Sequence, residues 1–258
     1  MFTQNISFKN FLTKNKNTLV KKKLNLILKE KNQAILSLSK SYKDSFSKKN
    51  IKYFSKKFNY RIIGMGGSTL GAQAIYDFFK KKVKKKFIFV DNLKAFENKK
   101  VKENFNNLII SKSGNTTETI VNTNILIKKK DKNLFLTEKK KSYLSSLAEK
   151  LKAEVVDHNN YIGGRYSVLS EVGMLPAELM GLNYKKFRQL NNLVKNKFFM
   201  KALVSNVEST IYFLKAKKFN SVIINYDEQS TNLFNWYQQL VAESLGKEKK
   251  GILPIISV

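Results

Sequence analysis

The 258-residue sequence predicts an α/β protein with a parallel sheet covered by helices on both faces. Three observations carry that prediction. Short apolar runs end in Gly or Ser and are followed by segments of helical period, the alternation that right-handed crossovers between parallel strands require. The hydrophobic fraction is 42%, enough for a sizeable core, while Gly and Pro number only 11 and 2, so most of the chain is expected to be ordered. The strand–helix rhythm pauses near residue 183 and restarts near 220, which reads as one complete sheet unit followed by the start of another.

Residues 1–58 read as an N-terminal helical segment. Leu19, Val20, Leu24, Ile27 and Leu28 recur at helical spacing between lysines, and Ala34, Ile35, Leu38 and Tyr42 continue the pattern. The first sheet unit spans 59–183. Its strands are expected at 60–65, 87–90, 108–110, 134–136 and 155–157, and its helices at 70–79, 116–129 and 143–151. Residues 184–258 read as a helical connection (184–197 and 204–217) and the opening of a second sheet unit: strand 221–225, helix 232–245, strand 252–256. A parallel sheet of two strands cannot cover itself, and the apolar run 252–258 (ILPIISV) lacks a polar closing segment. The chain is therefore expected to be truncated at its C-terminus.

The formal net charge is +30, which raises nucleic acid as a partner. The composition argues against it. Of 49 basic residues only Arg61, Arg165 and Arg188 are arginines, and arginine is the usual forked reader of bases and phosphates. The lysines are scattered, with no aromatic interleaving of the kind a base-stacking platform needs. A solvated lysine surface, of the kind an AT-rich genome produces, is the expectation. With no cysteine and one histidine, a disulfide framework, a thiolate metal site and a histidine-rich metal site are excluded. No apolar run is long enough to span a bilayer and no secretory signal is evident, so the expected compartment is the cytoplasm, without membrane association.

The densest chemical signal is residues 111–119 (SKSGNTTET), between a strand and a helix. Five of these nine residues carry hydroxyls. Such a turn aims backbone N–H groups, hydroxyl donors and the positive end of a helix dipole at one point, a cradle for phosphate, to which Lys112 can add a full charge. Helix capping alone needs one such residue, not five. Residues 64–68 (GMGGS) form a second strand-to-helix turn whose glycines allow close backbone approach to a ligand. Alone it is a weak signal; beside the first loop it becomes a second wall of one pocket. Arg165, in 163–167 (GGRYS), is a guanidinium kept in a lysine-biased chain, which points to a demand for fixed, forked charge.

On the helix at 232–245, Leu233, Trp236, Tyr237, Leu240 and Val241 form the expected buried stripe. At roughly 100° per residue, Glu243 falls about 20° from Trp236, at the stripe's edge. A carboxylate partly desolvated there has its pKa raised toward that of a useful general base. The competing reading is an exposed Glu243–Lys247 pair. His158, at the end of the fifth strand, is expected to be structural.

Taken in order, 64–71 (GMGGSTLG), 111–119 (SKSGNTTET), 163–176 (GGRYSVLSEVGMLP) and 238–247 (QQLVAESLGK) resemble the successive signatures of the glucose-6-phosphate isomerase family. The resemblance covers residue 60 to the end, and the last two segments are the more specific. It implies two sugar isomerase (SIS) domains, each an α-β-α sandwich with a parallel sheet, the second incomplete here. It implies interconversion of glucose 6-phosphate and fructose 6-phosphate through a cis-enediolate, with neither metal nor redox cofactor. It assigns Ser111, Ser113, Thr116 and Thr119, with Lys112 nearby, to the substrate phosphate, Gly67, Ser68 and Gln239 to the sugar, Glu243 to the general base, and Arg165 to the enediolate.

Met65, Thr69 and Asn115 depart from the family's more usual residues in ways that look tolerable. The family's ring-opening histidine and distal lysine are absent from a chain that ends 15 residues beyond Glu243. The resemblance therefore implies a homodimeric isomerase when full length and an impaired or inactive 258-residue chain. A non-enzymatic sugar-phosphate regulator of the same fold, and an isomerase acting also on mannose 6-phosphate, remain open.

Overall fold

The computed structural model describes residues 18–30, 32–49, 51–55, 59–93, 104–128, 131–247 and 251–257. Two short helices, α1 (Thr18–Lys29) and α2 (Gln33–Ser37), precede the sheet. The sheet unit then runs β1 (Asn59–Ile63), α3 (Leu70–Phe78), β2 (Lys86–Val90), β3 (Asn106–Ile110), α4 (Thr117–Leu126), β4 (Lys132–Thr137), α5 (Tyr143–Lys150) and β5 (Glu154–Asp157). All five strands pair in parallel, in the order β2-β1-β3-β4-β5.

The layers follow from strand alternation. Tyr60, Ile62, Leu108, Ile110, Leu134 and Leu136 point into one core with Ala72 and Ile75 of α3, while Ile63, Ile109 and Phe135 point into another with Leu144 and Ala148 of α5 and Ile120 of α4. Every residue of β3 is buried. Such strands read as unbroken apolar runs because both faces are covered, which is why their positions were legible. The structure thus has the expected parallel α-β-α sandwich.

Three expectations about elements need correction. First, the described residues 38–49 and 51–55 are not helical. They form turns that bury Phe46, Ile51 and Phe54 in the first core and enclose Tyr42, whose hydroxyl donates to Glu171, with Phe54's carbonyl accepting from Tyr60 Oη (3.1 Å) and Asn106 Nδ2 (2.7 Å). Residues 1–17 and 56–58 lie outside the described residues. Second, α6 (Glu171–Leu179) lies in a stretch where no helix was expected. It is buried almost all round and contains Pro176, so it shows no polar face for periodicity to detect.

Third, the helix expected at 184–197 is broken. A 3-10 turn at Tyr184–Phe187 gives way to α7 (Leu190–Leu193), and Asn196 then caps α8 (Lys197–Lys215) by accepting from Phe198 N and Phe199 N. Arg188 leaves helical backbone (ψ 89°). Its guanidinium turns into the interior, donating to Leu169's carbonyl (3.0 Å) and to both carboxylate oxygens of Asp44.

The chain then forms β6 (Asn220–Ile224), α9 (Thr231–Leu245) and β7 (Leu253–Ser257), with β6 and β7 a parallel pair. The expected buried stripe of α9 is not enclosed: Trp236, Leu240 and Val241 are half-buried, and Leu233 and Tyr237 are exposed. The helix lies against α3, with Asn232 Nδ2 donating to Asp77 Oδ2 at 2.6 Å. Among the described residues no helix is long and apolar enough to cross a membrane.

Candidate active site

The strand order places a topological switch point between β1 and β3, where successive connections leave toward opposite faces and open a crevice at the carboxyl ends of the strands. The 64–68 turn leaves β1 and the 111–116 loop leaves β3 on either side of it. These are the two loops the sequence singled out.

The β1 turn is a hub. Gly66 sits at φ +53°, and a Cβ added there would come within 2.7 Å of Gln239 Nε2. A Cβ on Gly67 would come within 2.5 Å of the backbone of Gly164 and 2.9 Å of Arg165 N. Only a glycine pair lets this backbone touch both the Arg165 turn and helix α9. Ser68 follows, half-buried.

In the β3 loop, Ser111 is buried and its hydroxyl pairs with that of Thr116 at 3.0 Å. Ser113 Oγ accepts from Asn115 N. Thr116 stands at the N-cap of α4 yet makes no capping hydrogen bond with its side chain, so capping is not what its hydroxyl does. Thr119 Oγ1 is enclosed without a partner. Lys112 departs from expectation: its amine donates to Asn160's carbonyl (2.8 Å) and lies 3.6 Å from Glu138, tying the β3 loop to the loop that leads into Arg165. Burial pushes the Glu138 carboxyl up, but Lys140 and Lys112 outweigh it and hold it below its ordinary value.

The second half of the site joins residues far apart in sequence. Arg165 Nη1 reaches Glu243 Oε2 at 3.3 Å and its Nε donates to Ser244 Oγ at 3.0 Å. Its guanidinium lies 4.9 Å from the Tyr166 ring centre, and its carbonyl accepts from Trp236 Nε1 at 3.1 Å. The Tyr166 hydroxyl first, and then the Glu243 carboxylate, favour the charged guanidinium and together outweigh the opposing effect of burial, so its pKa is raised. Glu243 retains 47% exposure of its side chain and accepts from Gln239 Nε2 at 2.8 Å. Gln239 Oε1 is enclosed with no partner. Glu243 is paired across the fold with Arg165, not along its helix with Lys247.

His158 is buried, its Nδ1 within 3.0 Å of Asn159's carbonyl, and desolvation lowers its pKa. Tyr166, Trp236 and Ser244 complete the constellation and were not read as site residues. Tyr166 and Ser244 flank Arg165 and Glu243 directly in sequence, a signal that adjacency to a candidate side chain could have supplied.

These features define an α/β protein of the sugar isomerase fold, with two loops and a paired guanidinium and carboxylate assembled around a switch point. Among solved structures, the chain superimposes on a hypothetical protein of Thermus thermophilus with a TM-score of 0.71, at 20% identity over 93% of this chain and 63% of that one. It superimposes on the tagatose-6-phosphate ketose/aldose isomerase of Escherichia coli with a TM-score of 0.54, at 14% identity over 81% and 59%. The phosphoglucose isomerase family profile matches residues 29–252, and the chain belongs to that family. It is 36% identical to the glucose-6-phosphate isomerase of Methanocaldococcus jannaschii over 78% of this chain and 53% of the relative. It is 33% identical to that of Mycoplasma capricolum over 75% and 51%. The chain spans about half the length of the curated relatives it matches.

Proposed function

We propose that this chain provides the sugar-phosphate site and proton-transfer pair of an aldose–ketose isomerase that interconverts glucose 6-phosphate and fructose 6-phosphate. The observation that carries the reading is the 3.3 Å approach of Arg165 to Glu243, across a fold that also brings the Gly66–Gly67 backbone against Gln239 and Arg165.

The chemistry follows from the groups. Moving a carbonyl between C1 and C2 removes a proton from one carbon and returns it to the other, with negative charge passing through the enediolate oxygens. Glu243 is the group that carries the proton. Arg165 is the fixed positive charge against which the oxyanion develops, and pre-organised charge of this kind supplies much of an enzyme's acceleration. Ser111, Ser113, Thr116 and Thr119 hold the phosphate at the head of α4, where amides without a side-chain cap point outward. That remote grip orients the reacting carbons. Gly67, Ser68 and Gln239 line the sugar. Lys112 acts through loop geometry, since its amine is already engaged.

The same reading takes 1–58 as an N-terminal segment, 59–183 as the first SIS domain and 184–258 as a connection and the start of a second, in a protein that works as a cytoplasmic homodimer. Isothermal titration tests binding: fructose 6-phosphate should bind, and more tightly than inorganic phosphate. Incubating fructose 6-phosphate with the chain in D₂O tests chemistry on the open-chain ketose already in solution. Deuterium should appear at C1 by NMR and should not appear with E243Q. A chain that neither binds the sugar phosphate nor catalyses exchange would overturn the reading.

A further inference from the structure

We infer that Ser244 and Tyr166 are positioning residues that set the orientation of the Arg165 guanidinium, and so decide whether the site prefers a sugar phosphate bearing negative charge at its reacting end. This rests on the isomerase reading above and extends it to two residues outside its catalytic and binding set.

A guanidinium on a flexible stem is useful against a developing oxyanion only when its plane and edge are fixed. Arg165 Nη1 meets Glu243 at 3.3 Å, a long contact to a carboxylate that is itself about half exposed. An ion pair of that kind constrains little. Fixation must come from elsewhere, and the structure supplies it on two sides. Ser244 Oγ accepts from Nε at 3.0 Å, which anchors the inner edge of the fork. The Tyr166 ring lies under the plane at 4.9 Å, which restricts rotation about the long axis.

These two supports are joined to each other. Ser244 Oγ and the Tyr166 hydroxyl are 2.7 Å apart. A serine hydroxyl has one donor and two acceptor sites, so it can accept from Nε and bond the phenol at once. The Tyr166 phenol is pulled below its ordinary pKa, first by Ser244 and then by Arg165, which matches a phenol oxygen receiving hydrogen bonds. Ser244 and Glu243 are neighbours on α9 while Tyr166 and Arg165 are neighbours on the opposing turn, so the latch also registers base against cation.

The test compares two ligands by isothermal titration on the full chain. Glucitol 6-phosphate has the phosphate and hydroxyls but no charge at C1, whereas 6-phosphogluconate puts a carboxylate there. Wild type should prefer the carboxylate ligand. S244A should lower that preference about ten-fold while leaving glucitol 6-phosphate affinity within about two-fold. S244T, which keeps the hydroxyl, should restore it. Y166F, which keeps the ring, should fall between. An unchanged preference in S244A and Y166F, or an equal loss of both ligands in S244A that S244T does not rescue, overturns the inference. If wild type binds both ligands without preference, the positioning role fails while the sugar-phosphate reading stands. If it binds neither, that reading fails and takes this one with it.

Discussion

All five residues of β3 are buried, whereas β6 alternates half-buried and exposed residues, with Val222 and Ile224 at 62% and 63% exposure. The two sheets share parallel pairing and a strand–helix–strand connection, yet only the first is closed on both faces. The difference teaches where rigidity enters the candidate site. Arg165 and the two loops sit on the closed sheet unit. Glu243 and Gln239 ride on α9, which has no fully buried residue and is tied to the closed unit by a few specific bonds: Asn232 to Asp77, Trp236 to Arg165, and Ser244 to Arg165 and Tyr166.

The strongest way to break the comparison is to attack the ion pair that clamps the N-terminal turns onto the closed unit. Arg188 and Asp44 are 4% and 6% exposed in their side chains. Removing one member of such a pair leaves the other charge buried and unpaired. Arg188→Ala should therefore cost about 3–5 kcal/mol in urea unfolding. A loss under about 1 kcal/mol would show that the clamp is solvated.

Next in size is a paired truncation. Leu108→Ala in β3 removes a fully buried side chain and should cost about 2–5 kcal/mol. Val222→Ala in β6 should change stability by no more than about 0.5 kcal/mol. Equal costs at the two sites would mean that β6 is covered in solution.

The closed sheet was also the legible part. Its central strands β3 and β4 are legible because burial on both faces leaves a continuous apolar run, while the edge strands β2 and β5 are short apolar runs between charged and polar segments; the expected ends differ from the observed ones by only a residue or two. Legibility failed where tertiary partners decide local structure. The break at Arg188 is set by Asp44, 144 positions earlier, and no local pattern around 184–197 records it. Helix α6 escaped notice because burial on all sides erases the polar face. At the site, the loops were legible from hydroxyl and glycine content, whereas the pairing of Arg165 with Glu243 joins residues 78 apart and reached the sequence reading only through the family resemblance. The amine of Lys112 was misplaced because its partner is Asn160's carbonyl, invisible to side-chain patterns.

A pH test sharpens the contrast within the closed unit. Burial depresses the folded pKa of His158 below its ordinary 6.5, against opposing effects from Glu171 and Glu138 and alongside Lys112. Between that depressed value and 6.5 the unfolded chain binds the extra proton, so stability is full above about pH 6.5 and declines as the pH falls below it. Glu138, also depressed, contributes stability that is lost only below its ordinary 4.5. Urea midpoints measured from about pH 7.5 to about pH 5.5 should fall, and His158→Gln should flatten that slope. A slope unchanged in the variant would assign the titration to another group.

The smallest effect expected is at the seam between the two regions. Trp236 belongs to α9, packs against the closed core, and donates its indole N–H to Arg165's carbonyl at 3.1 Å. Trp236→Phe keeps most of the apolar contact and deletes the donor, so stability should drop by about 1 kcal/mol. The more telling readout is fructose 6-phosphate binding. If α9 is held to the Arg165 turn by this bond, affinity should weaken several-fold, because Glu243 and Gln239 then lose their registration with the closed unit. If affinity holds while stability falls, the Asn232 bond and the Ser244 latch position α9 by themselves, and the open region is more rigid than its exposure implies.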